Sequence, residues 1–266
     1  MRAWDTVQLA RHEDRPYALD YVDRIFDDFV ELHGDRAGAD DRAVIGGPAR
    51  LMGRPVMLLA HQKGRSVEDR LHRNYGMAGP AGYRKALRLM RQAERFDMPV
   101  LALIDTPGAY PGVDAEKFGQ AWVISECLTL MSELRVPIVS AVIGEGGSGG
   151  ALALALADRL LMLENAIYTV ASPEACAAIT WRDPGARETA AAELRLTSRD
   201  ALDLGVCDEV IAEHRPAHDD AGSAAIALGE ALGRHLDELS AYGVDRLLGA
   251  RYWRFRRQNA SADLPA

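Results

Sequence analysis

Cysteine is scarce in this chain: three residues in 266, Cys127, Cys176 and Cys207, set far apart. Their spacing matches no metal-ligand pattern, so no metal site is expected in this chain. An odd, sparse set points to small core residues in a reducing compartment, and a cytoplasmic protein is expected. No uninterrupted apolar run approaches the roughly 20 residues that cross a bilayer, so no membrane span is expected. The opening Met1-Arg2-Ala3-Trp4-Asp5 lacks the apolar centre of a signal peptide. Excess positive charge is also missing: the formal net charge is −8, which argues against wholesale nucleic-acid binding.

What the chain has is apolar material and glycine. Hydrophobic residues make up 48% of it, enough for one large domain or two small ones. Residues 144–151 read Gly-Glu-Gly-Gly-Ser-Gly-Gly-Ala, between the strand-like run 136–143 and the helix-like run 152–157. A strand entering a helix through glycines presents bare backbone N–H groups at a positive helix end, a place for a phosphate or an oxyanion.

Around this loop the pattern alternates. Apolar residues on one stripe predict a helix from Pro16 to His33, stopped by Gly34. The runs 43–45 and 55–60 flank Met52-Gly53-Arg54 and predict a hairpin. Helices are expected over 82–96 and 118–134, strands over 98–105, 136–143, 159–163 and 167–170. Residues 184–200 read as helical, 206–211 as a late strand, 215–223 as a linker and the remainder as a helical tail. Continuous apolar strands alternating with helices indicate an α/β core with a helix-covered sheet.

Three readings compete for the glycine loop. Gly144, Gly146 and Gly149 fit the dinucleotide pattern G-x-G-x-x-G, with Glu164 twenty residues on, and so point to an NAD-dependent oxidoreductase. Gly146, Ser148 and Gly150 fit the nucleophile elbow G-x-S-x-G, but only His214, His218 and His235 follow, in linker-like or tail sequence. The third reading is an oxyanion hole of backbone N–H groups. It requires a second donor loop, and Asp105-Thr106-Pro107-Gly108-Ala109, at the end of the neighbouring strand, supplies one. The stretch from Lys63 to Arg95 carries nine Lys/Arg against three Asp/Glu. Lys63, Arg65 and Arg84 in it are candidates to bind a negatively charged substrate or partner. Ser172 before Pro173 reads as a helix cap or a site residue. Tyr110 beside Pro111 is a candidate wall of a ligand site or a core residue, and Glu145 a candidate to order the loop through backbone N–H bonds.

Several stretches together carry a resemblance. They are Asp105-Thr106-Pro107-Gly108-Ala109-Tyr110-Pro111-Gly112, Ile143 through Ala153, and Ser172-Pro173-Glu174. With them go Glu31 through Arg36, His61-Gln62-Lys63-Gly64-Arg65, Arg73 through Met77, and Gly82 through Met90. In order and spacing, from about Trp4 to the tail, the chain resembles the carboxyltransferase α subunit of bacterial acetyl-CoA carboxylase. The resemblance implies a crotonase-like (ClpP/crotonase) α/β fold of repeated ββα units. It divides the chain into a helical segment 1–34, a core 35–214 and a helical tail 215–266. It also implies a half-enzyme that pairs with a homologous β subunit, usually bearing a zinc ribbon, in an α2β2 assembly. Carboxybiotin on a biotin carboxyl carrier protein would meet acetyl-CoA at the interface and malonyl-CoA would form. Residue by residue, Gly149, Gly150 and Ala151, with Gly108 and Ala109, would supply N–H groups to the biotin carbonyl. Gly146, Gly147, Tyr110 and Ser172 would line the biotin side. The sequence departs from the family at Asp114, Ala175, Phe118 and Trp122. It also carries little of the family's N-terminal helical extension, and it has no Met-Lys-Met biotin-attachment site. These departures leave open a paralogue acting on another acyl group.

Overall fold

A computed structural model describes residues 1–258. One seven-stranded sheet organises it. β1 (Val44–Leu51) and β2 (Arg54–His61) form the expected hairpin, turning at Met52 and Gly53, both with positive φ. Then follow β3 (Val100–Thr106), β4 (Ile138–Gly147), β5 (Arg159–Leu163), β6 (Ile167–Thr169) and β7 (Glu209–Ile211). The order is β1-β2-β3-β4-β5-β7, and every pairing after the hairpin is parallel. β4 is long enough to serve two neighbours: its first half pairs with β5, and its glycine end pairs with β6. Residues of β3 and β4 are buried throughout, as parallel strands covered on both faces must be.

Helices α1 (Ala3–Ala10) and α2 (Ala18–Ile25) precede the sheet. Between the strands lie α3 (Val67–His72), α4 (Pro80–Arg95), α5 (Val113–Lys117), α6 (Gln120–Glu133) and α7 (Ser148–Ala155). After β6 come α8 (Pro173–Trp181), α9 (Arg187–Glu193) and α10 (Ser198–Asp203). The chain ends its described part in α11 (Ala221–Ser240) and α12 (Val244–Arg257). One apolar cluster, running from Ala18 on α2 to Leu247 on α12, holds both faces of the sheet.

Three sequence expectations are corrected. The helix expected over 16–33 stops at Ile25. Residues 27–32 instead run along the edge of β1, with bonds Asp27 N–H to Arg50 O (2.9 Å), Val30 N–H to Pro48 O (3.0 Å) and Leu32 N–H to Gly46 O (2.8 Å). A side chain at position 47 would forbid this approach, since its Cβ would lie 1.9 Å from Val30 O. The helical run ends at Phe26, already extended at φ −119° and ψ 145°, and Asp28 follows at φ 53°. The helix expected over 184–200 is two, α9 and α10, split where Arg195 takes φ 47° and Thr197 bridges to Ile167. The linker read at 215–223 is anchored: Ala217 is fully buried and its N–H donates to Glu213.

Two buried ion pairs clamp the ends of the chain to the sheet. Arg15 meets Glu213 at 2.7 Å and donates through Nε to Ile143 O within β4. Arg251 meets Asp158 at 2.7 Å and also donates to the carbonyls of Met131, Leu134 and Val136, satisfying the buried guanidinium. The arginine-rich tail is therefore partly an internal fastening.

Candidate active site

Two loops leave the carboxyl ends of adjacent parallel strands, β3 and β4, and meet. A Cβ placed on Gly150 would lie 2.5 Å from both Ala109 N and Gly108 C, and one on Gly147 would lie 2.1 Å from Pro107 O. Only glycine permits this backbone-to-backbone contact. Above it opens a cleft of about 630 Å³, lined among others by Gly108, Ala109, Tyr110, Trp122, Ser148, Gly149, Val170 and Ser172.

The donors can be sorted. Gly147 ends β4, and α7 begins at Ser148. The N–H groups of a helix's first turn have no intrahelical acceptor, so Ser148, Gly149 and Gly150 are uncommitted. Ala151 is the first residue whose N–H can close a helical bond, to Gly147 O, so its N–H is not the free donor the sequence suggested. On the other loop, the N–H of Gly108 donates to Thr106 Oγ1 at 3.1 Å. Ala109 N–H has no acceptor among the described residues. Ala109, Ser148 and Gly149 line the cleft, and the amides of Ala109 and Gly149, one from each loop, are the candidate oxyanion donors. A side chain at Gly149 would meet only Ile124 Cδ1, at 3.7 Å, so this glycine stands beside open space.

The dinucleotide and elbow readings fare differently. Gly144, Gly146 and Gly147 lie inside β4, Gly146 and Gly147 paired with β6, and form no phosphate turn. Gly144 instead makes room for Asp105, whose Oδ1 would lie 2.5 Å from a Cβ there, and Gly146 makes room for the Tyr168 ring at 2.6 Å. Glu164 accepts the N–H of Glu213. Gly146 and Gly147 are therefore sheet residues and do not line the cleft. Ser148 does sit on a strand-to-helix turn at φ 52° and is exposed. No histidine shares its cleft: His12 stacks on His218 at 3.8 Å beside a separate cavity, and His235 is bonded to Glu209.

The candidate cations do not converge on the cleft. Arg84 pairs with Asp35 at 2.8 Å. Arg65 pairs with Asp20 and lies over the Tyr17 ring at 4.2 Å. Lys63, from the end of β2, is 13% exposed and bridges Asp105 (2.7 Å) and Glu145 (2.8 Å). The positive stretch is largely consumed in internal pairs. Burial would lower the Lys63 ammonium, but the two facing carboxylates outweigh it and hold it above its ordinary value. Its carboxylates diverge. Burial raises Asp105, with Lys63 only partly offsetting, whereas burial of Glu145 is overcome by Lys63 and Arg11 together, which lower it. Glu145 thus binds cations and not its own loop's amides. The loop is ordered the other way round, by Asp105 Oδ1 accepting Glu145 N–H at 2.9 Å.

Ser172 caps α8, accepting Ala175 N–H at 3.1 Å, as its capping reading expects, and it also lines the cleft. Arg11 escaped the sequence reading. Its partners Glu145 and Glu174 lie 134 and 163 residues away, and no local pattern signals them.

The chain is similar to known proteins in sequence and in fold. The model of the acetyl co-enzyme A carboxylase carboxyltransferase-like family matches residues 1–259. The α subunit of acetyl-coenzyme A carboxylase carboxyl transferase from Geobacter metallireducens is 54% identical over 98% of this chain and 82% of its own length. That from Deinococcus radiodurans is 56% identical over 97% and 82%. A fused β/α protein from Salinispora arenicola is 56% identical over 97% of this chain and 46% of its own length. Among solved structures, transcarboxylase 12S superimposes with a TM-score of 0.64 at 24% identity, over 82% of this chain and 42% of the other. A Pseudomonas malonate decarboxylase hetero-tetramer in complex with coenzyme A gives 0.67 at 21%, over 82% and 90%. These two show the fold, which is crotonase-like and mostly parallel. The extent and identity of the match place this chain in the acetyl co-enzyme A carboxylase carboxyltransferase-like family.

Proposed function

We propose that this chain is the α half of a biotin-dependent acetyl-CoA carboxyltransferase, which passes a carboxyl group from carboxybiotin on a carrier protein to acetyl-CoA and yields malonyl-CoA. One observation carries the reading: the glycine-permitted contact of two strand-end loops leaves the amides of Ala109 and Gly149 beside one cleft. Among the described residues its lining holds no His, Cys, Lys or Arg, and a single carboxylate, the exposed Glu116. Backbone dipoles of this kind stabilise oxyanions without side-chain acid or base. The apolar walls Tyr110, Trp122, Ile124 and Val170 suit an uncharged bicyclic urea. When bound, biotin supplies the carboxyl group and, after release of carbon dioxide, the base. The chain binds its ring, orients its carbonyl and withholds water.

The partner is proposed to be a homologous β subunit, in an α2β2 assembly in the cytoplasm. Val113, Phe118 and Trp122 are 81%, 63% and 73% exposed, and Trp122 and Val170 reach the cleft. Apolar surface of this kind marks a protein-binding face. No helix among the described residues is long and apolar enough to cross a membrane. In an assay of biotin-dependent malonyl-CoA decarboxylation, the purified chain alone is expected to be inactive and to gain activity with a β subunit. Turnover by the chain alone, or saturable NADH binding without any such activity, would overturn the proposal.

The exposed Ser148 hydroxyl has no role in this scheme. Ser148→Ala is expected to keep turnover within roughly tenfold, about 1.4 kcal/mol of barrier. A fluorophosphonate adduct on Ser148, with loss of activity, would return the nucleophile reading.

A further inference from the structure

The side chains of Asp105, Lys63, Glu145, Arg11 and Glu174 form one chain, not separate pairs. Lys63 Nζ holds Asp105 and Glu145. Arg11 takes up the other oxygen of Glu145 through Nε at 2.7 Å and reaches Glu174 through Nη1 at 2.7 Å. The three carboxylates stand on three different segments. Asp105 lies three residues before Gly108, Glu145 four before Gly149, and Glu174 two after Ser172. Gly108, Gly149 and Ser172 all line the same cleft. Each carboxylate is thus the root of one cleft wall, and two cations fasten the roots together.

Arg11 is the link to the third wall. Its own position is fixed from behind: it follows α1, whose Val7 and Ala10 pack with Ile167, Ala191 and Leu196 in a second small core. The Arg11 side chain is 28% exposed and Glu174 38%, so neither can hold the fold as the buried pairs do, and an exposed pair contributes little to stability. What the Arg11–Glu174 contact does is orient. It is the only ion pair of α8 among the described residues, and through Arg11 and Glu145 it links α8 to the glycine strand. Resting on the carboxyltransferase reading above, we propose that Arg11 is a positioning residue: through Glu145 and Glu174 it sets the Ser172 wall against the Gly149 amide and so fixes the width of the biotin slot.

Two measurements test this. The first needs no activity. Amide hydrogen exchange of residues 171–176 in the whole chain should quicken by roughly tenfold in Arg11→Gln and equally in Glu174→Gln, while β3 and β4 stay protected. The second uses the α–β complex. Arg11→Gln should raise KM for free biotin roughly tenfold, with KM for malonyl-CoA changed less than about twofold. The double variant Arg11→Gln/Glu174→Gln should be no worse than Arg11→Gln alone, because the Arg11–Glu174 link is already broken there, and Arg11→Lys should lie between wild type and Arg11→Gln. Unchanged exchange at 171–176 overturns the proposal whatever the activity. Quickened exchange with an unchanged KM for biotin also overturns it, leaving a merely structural contact. Failure of the wild-type complex to turn over malonyl-CoA sinks the function itself, and the exchange result tells the two failures apart.

Discussion

Gly149→Val is expected to lower turnover of the reconstituted enzyme by on the order of 100- to 1000-fold, the usual loss of one oxyanion donor, while the chain stays folded. The added side chain has room, since its Cβ would rest 3.7 Å from Ile124 Cδ1 and touch nothing else nearby. The position has ordinary negative φ in the first turn of α7, so no backbone strain follows. The branched methyls would instead stand in the cleft and shield the Gly149 amide from its ligand. Gly150 is the contrasting control. Even Gly150→Ala puts a methyl 2.5 Å from the backbone of the Gly108 loop, which cannot yield as a side-chain tip would. Overpacking there should destabilise by about 1–3 kcal/mol or more, and a Gly150 variant cannot report on chemistry alone. Thermal melts beside steady-state rates separate the two; a folded Gly149→Val with near-normal turnover contradicts the assignment.

Lys63→Met is expected to cost about 3–5 kcal/mol of folding stability, as removal of one partner from a buried charged cluster does. Without the ammonium, Asp105 and Glu145 face each other inside the protein, both nearly out of solvent. Arg11 still serves Glu145, but Asp105 keeps only the N–H of Glu145. If Lys63 were a surface cation that steers CoA, its loss would leave stability untouched and raise KM for malonyl-CoA. Urea denaturation of wild type and variant decides between these: a midpoint unchanged within error restores the steering role.

The sequence made legible what depends on neighbours along the chain. Alternation of apolar strands and helices gives the β1–β2 hairpin, β3, β4 and the helices between them, because burial on both faces demands continuous apolar strands. The two glycine-bearing loops could be paired from sequence because each ends a strand, and parallel strands bring their carboxyl ends to one edge. What sequence could not show depends on partners far away. Residues 27–32 carry a helical stripe, yet the free edge of β1 and the absence of a side chain at Gly47 draw them into extended pairing. Lys63 looks like a surface cation in a basic stretch until Asp105 and Glu145 enclose it. Gly144 and Gly146 fit a dinucleotide fingerprint, yet the Asp105 carboxylate and the Tyr168 ring are what require them. Which amide of Asp105–Ala109 is free was also hidden, since it turns on the hydroxyl of Thr106 taking Gly108.

The most direct measurement is a structure of the α–β complex with biotin bound. The account predicts the ureido oxygen within about 2.7–3.1 Å of the amide nitrogens of Ala109 and Gly149, with the ring between Tyr110 and the Ser172 wall. A ureido oxygen lying beyond about 3.5 Å from both amides, or held by a side chain instead, would contradict it.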